Sequence, residues 1–276
     1  MTALSRIRAI ARSEGLVLRR NRWLFVATLI MVVFAVALSL AGSAPTGTLG
    51  VDMLTVSVAS MTTLAVYLIP LLALLMSVDA VAGEADRGAL GLILSYPASR
   101  AEFLLGKGLA HIVALAIACV VGFGVAGGIA VALGGAGLES LLALGRLMAT
   151  SVLLGAVFVA LGYLMSAMAG STAAAAGLSA ALWLVFVVLY DLGLLAAVVM
   201  NGDGAFTRWV FPWVMTANPA DAFRLWNIAG TESLAIAAGM AGTSDSLPGW
   251  AAPASLVTWL VLGLLLARAA FQRREL

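Results

Sequence analysis

Residues 147–190 read LMATSVLLGAVFVALGYLMSAMAGSTAAAAGLSAALWLVFVVLY, a run of 44 positions without a charge. A helix needs about 20 apolar residues to cross a bilayer, so this run is long enough for two. Gly170-Ser171-Thr172 places turn chemistry near its middle. Working outward, charge-free runs of 29, 26, 31 and 22 residues cover 23–51, 53–78, 108–138 and 246–267, and each holds one helix. The reading is an all-α integral membrane protein of six spans, near 23–42, 54–78, 108–134, 148–169, 173–199 and 251–270. Composition agrees: 63% of the 276 residues are hydrophobic and 10% charged. Soluble domains hold about 45 to 50% and about 25%. A net charge of +2 is too small to steer the chain onto nucleic acid, and a single cysteine excludes an internal disulfide.

Basic residues mark the cytoplasmic side of a membrane chain. Arg6, Arg8, Arg12, Arg19, Arg20 and Arg22 precede the first span, Arg87, Arg100 and Lys107 lie between the second and third, and Arg268, Arg273 and Arg274 close the sixth. Twelve of the 15 basic residues thus fall on one side, leaving Arg146, Arg208 and Arg224 on the other. Both termini are expected in the cytoplasm and residues 201–250 outside. The first 22 residues are too basic, and the apolar run after them too long, for a cleaved signal peptide. They interleave Leu4, Ile7, Ile10, Leu16 and Val17 with arginines, as an interfacial helix does. A basic tail that only sets topology is the plainer alternative.

Two polar segments stand apart. Residues 79–107 hold seven of the chain's 28 charges and place Leu90, Ile93 and Leu94 at helical spacing. Pro97 disfavours helix at Tyr96, and Ser99 followed by Glu102 is a capping-box pattern that starts a new helix. A short amphipathic helix, a turn and a second helix are expected. Residues 201–250 carry Trp209, Trp213, Trp226 and Trp250, which suit the outer membrane boundary. There Asn218 can cap a helix whose first position is Pro219. Docking of an external partner and simple interfacial packing both fit this segment.

Little catalytic chemistry is encoded. The nearest approach to a phosphate-cradling loop, Gly106-Lys107-Gly108, has Ala101 where the first glycine belongs and Gly108 where the hydroxyl belongs. One histidine, His111, cannot build a His-rich metal centre with Cys119 alone. Met61, Met76, Met165 and Met168 invite a copper reading, but methionine is also a common filler of apolar packing. Asp191 is the one acid inside an expected span, close to its outer end, and is a polar site by default. Gly124 with Gly128, and the row Ala173, Gly177, Ala181, are small-residue patterns of helix contact.

The run Glu84-x-Asp86-Arg87-Gly88-x-Leu90, leading to Leu94-Ser95-Tyr96-Pro97-x-Ser99-Arg100 and Gly106-Lys107, resembles the ABC transporter type-2 permease family. So do the six spans, the inward termini and the basic helix before the first span. Within that family, Leu94 to Arg100 and the external Asn218-Pro219-x-Asp221-x-Phe223-Arg224 are similar to permeases that serve copper and sulfur centre assembly in periplasmic nitrous oxide reductase. The resemblance implies a multi-pass protein of the bacterial inner membrane. The domain plan would be an interfacial helix over 1–22, a permease domain over 23–270, with a coupling loop at 79–107 and a periplasmic segment at 201–250, and a cytoplasmic tail over 271–276. Two copies of the chain would join two cytoplasmic ATPase subunits, which bind the ATP and Mg, and a periplasmic partner of solenoid-like fold. The chain itself would hold no cofactor and perform no catalysis. Glu84, Arg87, Leu90, Leu94, Tyr96 and Arg100 are the expected ATPase contacts, so reversing charge at Glu84 and Arg87 is expected to uncouple ATP hydrolysis. Asn218, Pro219, Asp221, Phe223 and Arg224 are the expected external contacts, with Asp191 as the intramembrane polar site. Passage of a small cargo and transmission of mechanical motion both remain open, as do an exporter for another small molecule or lipid and a scaffold without ATP coupling.

Overall fold

The computed structural model describes residues 2–20, 22–42, 52–96, 98–201, 204, 206–229 and 247–274, and no strand occurs among them. Helix α1 (Ala3–Arg20) lies at 67° to the helix that follows, α2 (Trp23–Gly42), and Arg22 takes a left-handed φ of 54° at the bend. Helix α3 (Met53–Ser77) continues through a π turn (Asp79–Gly83) into the one-turn α4 (Glu84–Asp86), followed by α5 (Ala89–Ser95). The long helices α6 (Arg100–Gly134) and α7 (Leu138–Met168) come next. Then α8 (Thr172–Trp183), a π turn (Leu184–Leu189) and α9 (Tyr190–Asn201) form one continuous rod. A π turn (Phe206–Val210), α10 (Phe211–Ala217), α11 (Pro219–Ala229) and α12 (Ala251–Arg273) complete the described chain.

Five stretches among the described residues are long and apolar enough to cross a membrane: Met53–Asp86, Arg100–Gly134, Leu138–Met168, Thr172–Asn201 and Ala251–Arg273. The bent pair of α1 and Phe25–Ala41 is a candidate sixth. Helix α6 begins at Arg100, where the Ser99 and Glu102 capping box was expected to start it, eight residues ahead of the span expected from 108, and α7 begins at Leu138, ten residues ahead of the span expected from 148. A charge ends a helix only when it cannot be satisfied there, and these charges are satisfied. Glu102 takes the guanidinium of Arg6, Lys107 meets two glutamates, and Arg146 donates to the Asn227 carbonyl at 3.0 Å.

The core sits between α3 and α7, where 72% of each apolar window is buried, against 6% for Thr172–Asn201. Close helix approach uses other glycines than the expected Gly124 and Gly128 pair. A Cβ at Gly128 would meet nothing within 4 Å, whereas one at Gly122 would lie 2.8 Å from the Met31 Cβ and one at Gly162 2.5 Å from the Ser77 Cβ. Met61 and Met76 are buried in this core, as packing residues. At the first π turn, Ser166 Oγ accepts from the Val81 and Ala82 amides, both at 3.0 Å, and donates to the Val78 carbonyl at 2.6 Å. One hydroxyl thus satisfies three backbone groups around a widened turn.

Helix α1 is fastened to α6 across Gly106, where an added Cβ would stand 2.7 Å from the Ile10 Cβ and 3.0 Å from the Ile7 carbonyl oxygen. Overpacking of this kind costs about 1–3 kcal/mol. Gly106→Val is therefore expected to push α1 off the bundle, read as faster limited trypsin cleavage at Arg8 and Arg12. A cleavage rate equal to the parent's would show that α1 is held elsewhere.

Side-chain contacts sort the loops into two ends. Glu102 pairs with Arg6, Thr172 donates to Asp86, and Arg274 donates to the Ala169 carbonyl. These contacts bring the N-terminal helix, residues 79–100, the α7–α8 turn and the chain's last helix to one end. At the other end Asp52 caps α3, accepting from Thr55, and also accepts from the Gly137 amide and the Ser140 hydroxyl, both at 2.8 Å.

Candidate functional site

The segment leading from α3 to α6 is built by local chemistry. Gly88 adopts φ +68°, a left-handed conformation that stops α4 after Arg87, and its amide bonds to the Ala85 carbonyl at 2.9 Å. A side chain at this position would strain the turn, which explains the glycine of the Glu-x-x-Arg-Gly run. Further on, Ser99 Oγ accepts from the Glu102 amide at 3.2 Å while Glu102 Oε2 accepts from the Ser99 amide at 2.8 Å, the expected capping box. Pro97, expected to break the helix, lies outside the described residues.

The six residues expected to face an ATPase divide between inside and outside. Glu84 turns inward: its Oε1 sits 2.7 Å from Lys107 Nζ, and its Oε2 lies 3.5 Å from Arg87. Leu90 is buried in the core. Arg100 donates to the carbonyls of Phe271 and Arg274 and covers the Phe271 ring at 5.1 Å, so it ties the start of α6 to the end of α12. Leu94 belongs to α5, but its side chain lies outside the described residues. Arg87 and Tyr96 remain exposed, and Leu92, absent from the expected set, joins them at 67% exposure beside 66% for Tyr96. Charge placement alone could not separate these groups. Leu90 and Leu92 are two positions apart on a helix and face opposite ways, so one faces the bundle and the other solvent.

Behind the segment lies an ionic chain that joins four elements. Lys107 Nζ contacts Glu14 of α1 at 3.3 Å as well as Glu84. Glu14 approaches His111 Nε2 at 3.5 Å, and His111 Nδ1 shares a 2.7 Å hydrogen bond with Tyr163 of α7. His111 is thus an interhelical hydrogen-bonding residue, and Cys119 is a buried thiol farther along α6. Glu14 carried no sequence signal beyond being the one acid among six arginines of the first 22 residues.

A second polar cluster joins the rod Thr172–Asn201 to α11. Arg224 bonds Asp191 at 3.0 and 3.3 Å and Asp221 at 3.0 Å. Asn218 caps α11 through its Oδ1, which accepts from the Ala220 amide, while its Nδ2 donates to the Phe186 carbonyl at 2.7 Å and to Asp221 at 3.1 Å. Phe186 lies inside the π turn (Leu184–Leu189), where the regular i to i+4 ladder is interrupted. Tyr190 donates to the Val214 carbonyl and Trp259 to the Ala217 carbonyl. The segment from α10 to α11 therefore folds back against the bundle. Asn218, Asp221 and Phe223 are buried in it instead of lining an outer face, and Pro219 opens α11. Trp209, Trp213 and Trp250 are exposed at this end, with Val199, Met200 and Val210, and 230–246 lie outside the described residues.

Burial pushes the Asp221 carboxyl up to about 7, and the neighbouring Asp191 carboxylate adds to the push. A raised carboxyl binds its proton more tightly in the folded chain. Its contribution to stability is complete below the usual carboxylate range and is lost as pH rises through about 7. Thermal unfolding in micelles is expected to show a falling midpoint across that window, and Asp221→Asn is expected to flatten it. Parallel pH profiles for both chains would assign the dependence to another group.

Comparison with known proteins places these features. A family model described as "ABC-2 family transporter protein" matches residues 8–276. The chain is 40% identical over 269 residues to the "Probable ABC transporter permease protein NosY" of Stutzerimonas stutzeri, covering 95% of each chain. It is 40% identical over 271 residues to the protein of the same name from Pseudomonas aeruginosa, covering 97% of this chain and 98% of that one. With its apolar helices and this match over almost its whole length, the chain belongs to the ABC-2 transporter family, as a multi-pass permease of the inner membrane.

Proposed function

We propose that this chain is the membrane half of a homodimeric ABC transporter, worked by two copies of a separate cytoplasmic ATPase, that serves copper and sulfur centre assembly in periplasmic nitrous oxide reductase. The observation that carries the reading is the exposed trio Arg87, Leu92 and Tyr96, held on a segment fastened to α6 through Glu84 and to the start of α8 through Asp86. An apolar and aromatic pair flanked by a cation suits the core of a protein interface. The ATPase docks on this trio, and Glu84, Leu90 and Arg100 transmit its motion to the helices behind. The five long apolar helices and the bent pair support six spans, and the division of the basic residues, twelve of 15 to one side, supports a cytoplasmic basic end.

The second copy packs along Thr172–Asn201, the least buried of the long apolar helices. Ala173, Gly177 and Ala181 form a small-residue row exposed on that rod, and a Cβ at Gly177 would meet nothing within 4 Å. Mechanical transmission is favoured over passage of a cargo. Asp191, the acid of the rod, is occupied by Arg224, and that pair links the rod to the external segment where a NosD-like periplasmic partner docks. Co-expression with the ATPase and the periplasmic partner tests the reading: the three proteins should co-purify, with ATP turnover dependent on this chain. Sealed vesicles given labelled sulfur or copper then decide the mode. ATP-driven accumulation of either label would replace mechanical transmission with transport, and failure to bind any ATPase would leave a membrane scaffold.

A further inference from the structure

We propose that the groove between the ends of α7 and α12 is a binding site for one anionic phospholipid of the adjacent leaflet. The groove has a volume of about 580 Å³ and is walled by Leu164, Met168, Leu266 and Ala269, with Arg273 and Arg274 among its lining residues. Its apolar walls reach one to two turns inward, to Leu164 on α7 and Leu266 on α12, and its cations lie at the last residue of α12 and the one after it. A phospholipid presents the same order, acyl chain first and charged phosphate at the boundary.

Arg274 is a built feature of this mouth. Its Nη1 donates to the carbonyls of Ala169, Ser166 and Ala167 at 2.8, 3.2 and 3.4 Å, closing the C-terminus of α7, and its own carbonyl accepts from Arg100 at 3.2 Å. The guanidinium is therefore held in place before any ligand arrives, which lowers the entropic cost of binding. No acidic residue lines the groove among the described residues. Asp86 lies outside this lining but within electrostatic reach of Arg274, and its Oδ2 accepts from the Thr172 amide and hydroxyl at 2.7 and 2.6 Å. Met168 and Leu266 are exposed, so the walls are open to lipid. The apolar walls call for an acyl chain as well as a phosphate. A second copy meeting here about a two-fold axis would bring the arginine pairs together, which like-charge repulsion opposes.

The test uses the full chain in nanodiscs of phosphatidylcholine containing a minority of phosphatidylglycerol, with bound lipid counted by native mass spectrometry after mild delipidation. The parent chain is expected to retain phosphatidylglycerol in preference to phosphatidylcholine. Arg273→Glu should lower that retention roughly tenfold by turning attraction into repulsion. Ala269→Trp should lower it equally by filling the groove while leaving every charge in place, and Arg274 is left untouched because it closes α7. Equal retention of the two lipids by the parent, or full retention by both variants, would overturn the assignment. So would disulfide capture of two chains through Ala269→Cys, which would make the groove a contact between copies. The inner-leaflet location rests on the orientation proposed above. Both leaflets of the disc hold the anionic lipid, so binding reports on the groove alone, while cysteine labelling at Ala269→Cys from each side of sealed vesicles reports on orientation.

Discussion

Lys107→Met is expected to destabilise the chain more than any other single substitution at its charged residues, by about 3–5 kcal/mol, the range measured when one partner of a buried ion pair is removed. The Lys107 side chain is 5% exposed and lies within 3.3 Å of Glu14 and 2.7 Å of Glu84. Without the ammonium, two carboxylates are left in a site closed by α1 and α6, Glu84 with only Arg87 at 3.5 Å and Glu14 with only His111 at 3.5 Å. The loss reaches beyond one residue because Glu14 belongs to α1 and Glu84 to the turn after α3. Unfolding in detergent, followed by helical signal, should show the drop, with α1 becoming susceptible to trypsin first. Adding Glu14→Gln and Glu84→Gln should recover part of it by removing the stranded charges. A single variant within 1 kcal/mol of the parent would mean that water already screens this site.

Leu92→Asp combined with Tyr96→Ala is expected to leave the fold intact and to abolish ATPase binding. Both side chains are about two-thirds exposed and make no contribution to the core, so their loss removes only what they offer a partner. Burying a charge at the centre of an interface and deleting an aromatic anchor each cost about 2 kcal/mol or more, enough together to reduce a submicromolar association beyond detection. Co-purification and ATP turnover read the effect, with the thermal midpoint as the control for folding. The reversal of Glu84 and Arg87 expected from sequence is a poorer probe. A lysine at 84 would face Lys107 at the position of the present 2.7 Å ion pair, and unfolding would be mistaken for uncoupling. Normal turnover in the Leu92 and Tyr96 double variant would place the docking surface elsewhere.

How much was legible in the sequence can be judged at particular residues. The Ser99 and Glu102 cap, the Asn218 cap with Pro219 after it, and the turn at Gly170-Ser171-Thr172 were readable because each depends on side chains within a few positions. The division of the coupling segment was not, because it depends on the angle at which α5 meets the bundle. Arg224 is expected among the external contacts because it belongs to the Asn218–Arg224 run of the external segment. The fold brings Asp191, 33 positions earlier in the chain, against it. The extension of α7 back to Leu138 was not readable for a similar reason: Arg146 looks like a boundary until the carbonyl of Asn227, 81 positions later, accepts from it.

The sequence by itself determined that this is an all-helical membrane protein and where its long apolar runs and its charges lie. Those properties follow from runs of apolar residues and from the cost of placing an unpaired charge in hydrocarbon, both of which are local along the chain. Only the tertiary structure decided which charges are paired, which leucines face outward, and that one hydroxyl, Ser166, holds open a π turn 85 residues away. Pairing and facing depend on where two distant helices meet, and that meeting is set by close packing over the whole core, which no single stretch of the chain contains.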